Sequence, residues 1–125
     1  MPNAITTITL FTEDLTATKA FYLAAFDLPV HYEDEDSCVF DFGNTLVNLL
    51  KIENGPEVVA PAVLGSALTT RSLITITVDD VDASVEALTK KGIRVINGPV
   101  DRPWGVRTAA FQDPAGNVWE LAQPI

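Results

Sequence analysis

The 125-residue sequence predicts an α+β fold of two βαβββ modules, each a curved mixed sheet with its helix on the convex side, leaving a ligand cleft. Three observations carry this. The stretch SLITITVDD (72–80) echoes TTITLFTED (6–14), with Asp80 placed like Asp14. Apolar residues at helical spacing follow each stretch, and three short strand-like runs follow each helix. The order of elements repeats across the two halves, as a duplication requires.

In the first module, ITTITLF alternates: Ile8 and Leu10 share one face, and Thr7, Thr9 and Phe11 the other. Asp14 caps the next element, where Ala17, Phe21, Ala24, Ala25 and Phe26 recur at three- and four-residue spacing. Extended chain restarts at LPV. Strands are predicted over VHYE, SCVFDF and TLVNLLK, the last two joined through Gly43-Asn44. Residues 52–71, with two prolines, two glycines and no period, read as a connector without elements of its own. In the second module, Val81, Val85 and Leu88 form a helix face that stops at Gly92 after Lys90 and Lys91. IRVING, VRTAAFQ and NVWELA supply its remaining strands, the final pair turning through DPAGN, where Pro114 and Gly116 suit a tight turn. The chain is thus one domain, 1–125, with module 1 at about 3–51, the connector at 52–71 and module 2 at about 72–123.

Seventeen acidic against eight basic residues give a formal charge of −9, which repels phosphate backbones and anionic lipid, so neither nucleic acid nor membrane is an expected partner. The single cysteine, Cys38, has no intramolecular disulfide partner. The opening MPNAITTITLF has no signal-peptide pattern, and no apolar run approaches a membrane span. The expectation is a soluble cytoplasmic protein.

The paired openings ITLFTEDLTATKAFY and ITITVDDVDASVEAL, with the closing DRPWG…FQDPAGNVWELAQ, resemble the vicinal oxygen chelate superfamily, which contains glyoxalase I, extradiol dioxygenases and bleomycin-resistance proteins. The resemblance runs from Ile5 to about Gln123 and is nearest to the bleomycin-resistance-like members. In the metal-dependent enzymes of that group, histidines and glutamates from the first and last strand of each half converge on a divalent cation. The resemblance places those positions on Thr7, Asn48, Leu73 and Glu120, of which only Glu120 has a matching ligand type. One carboxylate, one amide, one hydroxyl and a leucine offer little to zinc, nickel or iron, so no metal and no other cofactor is expected.

Strand parity turns Thr7, Thr9, Leu73 and Thr75 toward the cleft, joined by Asn48 and Glu120 from the closing strands; Asp41 joins them if Phe40 and Phe42 serve the core. Trp104, in RPWG, is either an indole plate at the cleft mouth or a cover for the sheet edge. Trp119, of opposite parity to Glu120, belongs to the core. Glu120 has three readings: a carboxylate receiving a cationic ligand, a general base, or a structural partner of Arg107 or Arg102. His31 reads as a partly exposed strand residue and Cys38 as a buried apolar group. The acidic run Glu33–Asp36 reads as a solvated turn.

The function expected is metal-free binding of a planar or cationic small molecule such as an antibiotic, in a homodimer whose assembly is implied by the resembled group. The rival is a metal-dependent lyase, isomerase or dioxygenase using Glu120 as base or sole protein carboxylate.

Overall fold

A computed structural model describes residues 3–66 and 68–125. Its first module runs β1 (Thr7–Thr12), α1 (Leu15–Phe26), β2 (Val30–Glu33), β3 (Ser37–Asp41) and β4 (Leu46–Lys51). The second runs β5 (Leu73–Thr77), α3 (Val81–Lys90), β6 (Val95–Arg102), β7 (Val106–Gln112) and β8 (Val118–Pro124). The sheets have the same topology, β1-β4-β3-β2 and β5-β8-β7-β6, with the first strand of each module parallel to the last. The predicted α+β architecture of two mixed sheets, each with its helix, is what the chain adopts.

Both helices start as the sequence indicates. The carboxylates of Asp14 and Asp80 accept the N–H groups of Ala17 and Ala83, each at 3.0 Å, satisfying amides that a helix start leaves open. Two stretches differ from the expectation. The connector contains a single turn of 3-10 helix, Ile52–Asn54, and a short helix, α2 (Gly55–Val59), with Pro56 in its first turn, where the missing N–H costs nothing. Strand β6 continues past IRVING to Arg102 despite Pro99. It is an edge strand whose register shifts at Asn97 and Val100, and such an irregular edge tolerates a proline. Gly98 has φ +77°, and a Cβ there would collide with the Thr108 carbonyl oxygen, so the residue lets β6 lie against β7.

The core is shared between the modules. Leu10, Phe40, Val47 and Leu49 on one side and Phe111, Trp119 and Leu121 on the other form one buried cluster around Tyr22 of α1. Phe42 stacks on Trp119 with ring centroids 5.4 Å apart, and Phe26 packs against the same indole at 4.7 Å. Of the helix face chosen from spacing, Phe21, Ala24, Ala25 and Phe26 are half-buried and pack against the core, whereas Ala17 is exposed and Thr18 and Tyr22, outside that set, are fully buried. Polar groups did not keep Thr18 and Tyr22 outside because each finds a buried partner. Thr18 and Thr12 hydroxyls meet at 2.8 Å. The Tyr22 hydroxyl donates to Asp113 at 2.7 Å and accepts from the Trp119 indole N–H at 3.1 Å.

Asp113 opens the DPAGN turn and is itself buried. Its carboxylate also accepts the N–H groups of Ala115 (2.8 Å) and Asn117 (2.9 Å) and the Asn117 side-chain amide (2.9 Å). One buried carboxylate therefore closes a hairpin of module 2 and anchors a helix of module 1.

Candidate functional site

Strand register assigns each candidate residue to a face. In the first sheet Thr9 pairs with Asn48 and Asn48 with Val39; Thr7 pairs with Leu46 and Leu46 with Asp41. In the second, Thr75 pairs with Glu120 and Glu120 with Ala110, while Leu73 pairs with Val118. All lie opposite in parity to the core residues Leu10, Val47, Phe40, Trp119 and Leu121, as the alternation predicts. Ile8, Ile74 and Ile76 pack toward the core on the other face.

The register also relates the two halves. Thr9–Asn48 and Thr75–Glu120 are equivalent pairs, each a first-strand threonine beside a last-strand polar group, which supports the placement of Asn48 opposite Glu120 in the duplication. Their chemistry differs. The Asn48 amide donates to the Thr9 hydroxyl at 3.4 Å, leaving its carbonyl oxygen buried without a hydrogen-bond partner among the described residues. The Thr75 hydroxyl donates to Glu120 Oε1 at 2.9 Å, a firmer bond to a charged acceptor.

The remaining candidates are placed as follows. Thr7 and Leu73 are exposed at the starts of their strands, Leu73 at 60%. Asp41 is exposed, and its carboxylate accepts the Gly43 N–H at 2.7 Å, closing the β3–β4 turn. Phe40 and Phe42 both pack in the core, the condition on which its cleft-side position was argued. Trp104, in the β6–β7 turn, is 68% exposed and so does not cover a sheet edge; the Arg102 guanidinium lies 5.9 Å from its ring centroid.

Glu120 does not pair with either arginine. Arg107 turns to the opposite face and binds Asp82 of α3 and Asp101 of β6, each at 3.0 Å. These bonds hold the Asp82 carboxyl below and the Arg107 guanidinium above their ordinary pKa values. Arg102 stays on the Glu120 face but bonds to Thr108 and Asn97. Sequence reasoning weighed Arg102 only as a partner for Glu120 and missed Asn97 and Thr108; parity within β7 was the available signal for Thr108.

His31 is exposed, and Cys38 is buried, with desolvation pushing its thiol pKa up. The acidic run is a turn: Asp34 accepts from the Tyr32 hydroxyl (3.0 Å), the Asp36 and Ser37 N–H groups (both 2.9 Å) and the Ser37 hydroxyl (3.0 Å).

As a metal centre, Thr7, Asn48, Leu73 and Glu120 fit poorly. Leu73 has no donor atom, Thr7 and Asn48 are weak neutral oxygens, and Glu120 is the single carboxylate among the four. Among the described residues, no group of three or more His, Cys, Asp or Glu side chains is arranged to hold an ion.

The two modules and the equivalence of their polar pairs define a duplicated βαβββ domain. The family model of the Glyoxalase/Bleomycin resistance protein/Dioxygenase superfamily matches residues 4–121, and the chain belongs to that superfamily. It is similar to the uncharacterized protein YraH of Bacillus subtilis (strain 168), 31% identical over 119 residues, which span 91% of this chain and 93% of that one. The uncharacterized protein Mb0911c of Mycobacterium bovis is 35% identical over 71 residues, 57% of this chain and 45% of its own length. Among solved structures, a glyoxalase/bleomycin resistance protein/dioxygenase from Nocardioides superposes with a TM-score of 0.88 at 22% identity, covering 100% of this chain and 85% of that one. Lactoylglutathione lyase from Agrobacterium tumefaciens superposes with a TM-score of 0.80 at 24% identity, covering 98% and 95%. These likenesses establish the fold. In addition, no helix among the described residues is long and apolar enough to cross a membrane.

Proposed function

We propose that the protein is a metal-free binder of small molecules, a homodimer that sequesters a planar or cationic ligand such as an antibiotic against the Glu120 face of module 2. One argument supports this reading: the four positions that the resemblance assigns to the metal, Thr7, Asn48, Leu73 and Glu120, include a single carboxylate and a leucine with no donor atom. What the face does offer is recognition. Glu120 forms no ion pair among the described residues and presents Oε2 for a ligand ammonium, while exposed Trp104 supplies a plate for a planar ring. The net charge of −9 draws cations toward it. Sequestration then works by mass action: nanomolar affinity, about 12 kcal/mol, keeps a ligand from its target while protein is in excess.

A second copy of the chain completes the site in this reading. The Thr9–Asn48 and Thr75–Glu120 pairs sit on faces turned away from the shared core, beside exposed Tyr32 and Leu73. The edge strands TITLFT and LITIT contain no charged residue, and the Arg71 guanidinium occupies only the Phe11 carbonyl near the end of the first. Joining β1 of one copy to β5 of the other brings the two kinds of pair together.

Calorimetric titration with zinc, nickel, iron(II) and magnesium tests the metal-free reading, which predicts no stoichiometric uptake. Binding at micromolar or tighter affinity overturns it and favours a metal-dependent lyase, isomerase or dioxygenase. Titrating tryptophan fluorescence with cationic aromatic compounds tests recognition. Trp104→Ala is expected to abolish most of the response, and Glu120→Gln to weaken capture about tenfold with little change in stability. Equal affinity for charged and neutral analogues contradicts the role of Glu120. Sedimentation equilibrium is expected to give about twice the 13.5 kDa of one chain; a monomer removes the second copy.

A further inference from the structure

Arg102 shares a sheet face with Glu120, yet only neutral groups hold its guanidinium. Nε donates to the Thr108 hydroxyl at 2.9 Å, Nη2 donates to the Asn97 side-chain oxygen at 2.8 Å, and the Trp104 ring lies alongside. Nη1 has no hydrogen-bond partner among the described residues. By contrast, Lys19, Arg71, Lys90, Lys91 and Arg107 each meet a carboxylate. A carboxylate partner neutralises a guanidinium; a hydroxyl and an amide oxygen fix its plane and leave the charge unspent. Fixing the fork in advance removes side-chain entropy that an anion would otherwise have to overcome on binding.

The register sets the distance to Glu120. Asn97, which anchors the guanidinium, pairs with Ala110, and Ala110 pairs with Glu120. Two inter-strand steps separate anchor and carboxylate, roughly 10 Å. On this face of β7 Ala110 presents only a methyl group between Asn97 and Glu120, and the neighbouring Thr108 hydroxyl is taken up by Arg102. The two groups form no ion pair with each other.

We propose that Arg102 is an anion receptor and that the ligand of this face is a zwitterion. Its carboxylate or phosphate docks on the guanidinium fork, its ring lies against Trp104, and its ammonium reaches Glu120. The inference rests on the binding function proposed above and adds to it a second, oppositely charged recognition point.

The test follows Trp104 emission, with buried Trp119 as background, during titration with benzoate, benzylamine and para-aminomethylbenzoate. The zwitterion is expected to bind most tightly. Arg102→Gln is expected to weaken benzoate and the zwitterion about tenfold while leaving benzylamine unchanged; Glu120→Gln should do the reverse. Asn97→Ala keeps the charge but frees the fork, and a loss of about threefold for benzoate is expected. That variant keeps the test decisive if Arg102→Gln disturbs the hairpin, which thermal melting reports. Phenyl phosphate in place of benzoate identifies the preferred oxyanion. No response to benzoate or phenyl phosphate in the wild-type protein, or equal affinities in wild type and Arg102→Gln, overturns the proposal. Loss of benzylamine binding alone, with benzoate binding intact, removes the cationic reading of Glu120 and leaves the Arg102 receptor standing.

Discussion

The two modules share a topology and a register but differ in what their last hairpins and their helices carry. In module 1 the β3–β4 turn is exposed, and Asp41 serves only the Gly43 amide. In module 2 the β7–β8 turn is buried, and Asp113 serves Ala115, Asn117 and, across the module boundary, Tyr22. The helices divide the other way. Helix α1 has one charged residue, Lys19, and contacts both halves through Tyr22 and Phe26, whereas α3 keeps a polar face with Asp82, Glu86 and Lys90. The modules thus share a strand order, while at the junction between them each copy of the same element has a separate task.

Removing the junction carboxylate should break this asymmetry most visibly. Asp113→Ala leaves a phenol, a side-chain amide and two backbone N–H groups without an acceptor in a buried site, and an unfolding cost of about 3–5 kcal/mol is expected in urea titration. Asp41→Ala, its counterpart in an exposed turn, should cost only about 0.5–1 kcal/mol. Similar losses for the two would mean that the hairpins are equivalent after all.

Tyr22→Phe sharpens the same comparison at the α1 end. It retains the ring packing but leaves the Trp119 N–H without its acceptor and takes one donor from Asp113, for an expected loss of about 1–2 kcal/mol. Combined with Asp113→Ala, the costs should fall short of additive, because both changes break one network; strict additivity would show no coupling between the modules there.

The smallest effect belongs to the exposed Asp82–Arg107 pair, a feature of module 2 alone. Asp82 has a folded-state pKa lowered by the Arg107 hydrogen bond, so its contribution is fully present above the unfolded carboxylate value near pH 4 and is lost as pH falls through the lower folded value. Wild type should therefore exceed Asp82→Asn in stability at neutral pH, with the gap closing below about pH 4. A gap constant down to pH 2 would sink the assignment.

Much of this was legible in the sequence because it depends on neighbours along the chain. Both aspartate caps, the strand alternation, Gly43-Asn44 and the DPAGN turn follow local rules, and parity put Trp119 inside and Glu120 outside. What local pattern missed depends on distant partners. The burial of Tyr22 does not follow from helical spacing, because its buried acceptor lies 91 residues away. Helix α2 was read as loop because Gly55, Pro56 and the surrounding composition mark punctuation, yet tertiary packing seats Leu64 against Gly55. Pro99 hid the extension of β6. On the candidate face, Glu120 and Trp104 stood out by residue type, whereas Arg102 gains its meaning only from the neutral groups that surround it.

The stacking of Phe42 on Trp119 bears on how such a chain arose. A polypeptide of half this length would leave aromatic rings wet, and hiding them would require meeting another molecule with a complementary apolar face. Tandem fusion of two coding segments replaces that encounter, which depends on dilution, with one at a local concentration fixed by the tether. Each half is then free to accumulate substitutions that would have been harmful in both partners at once.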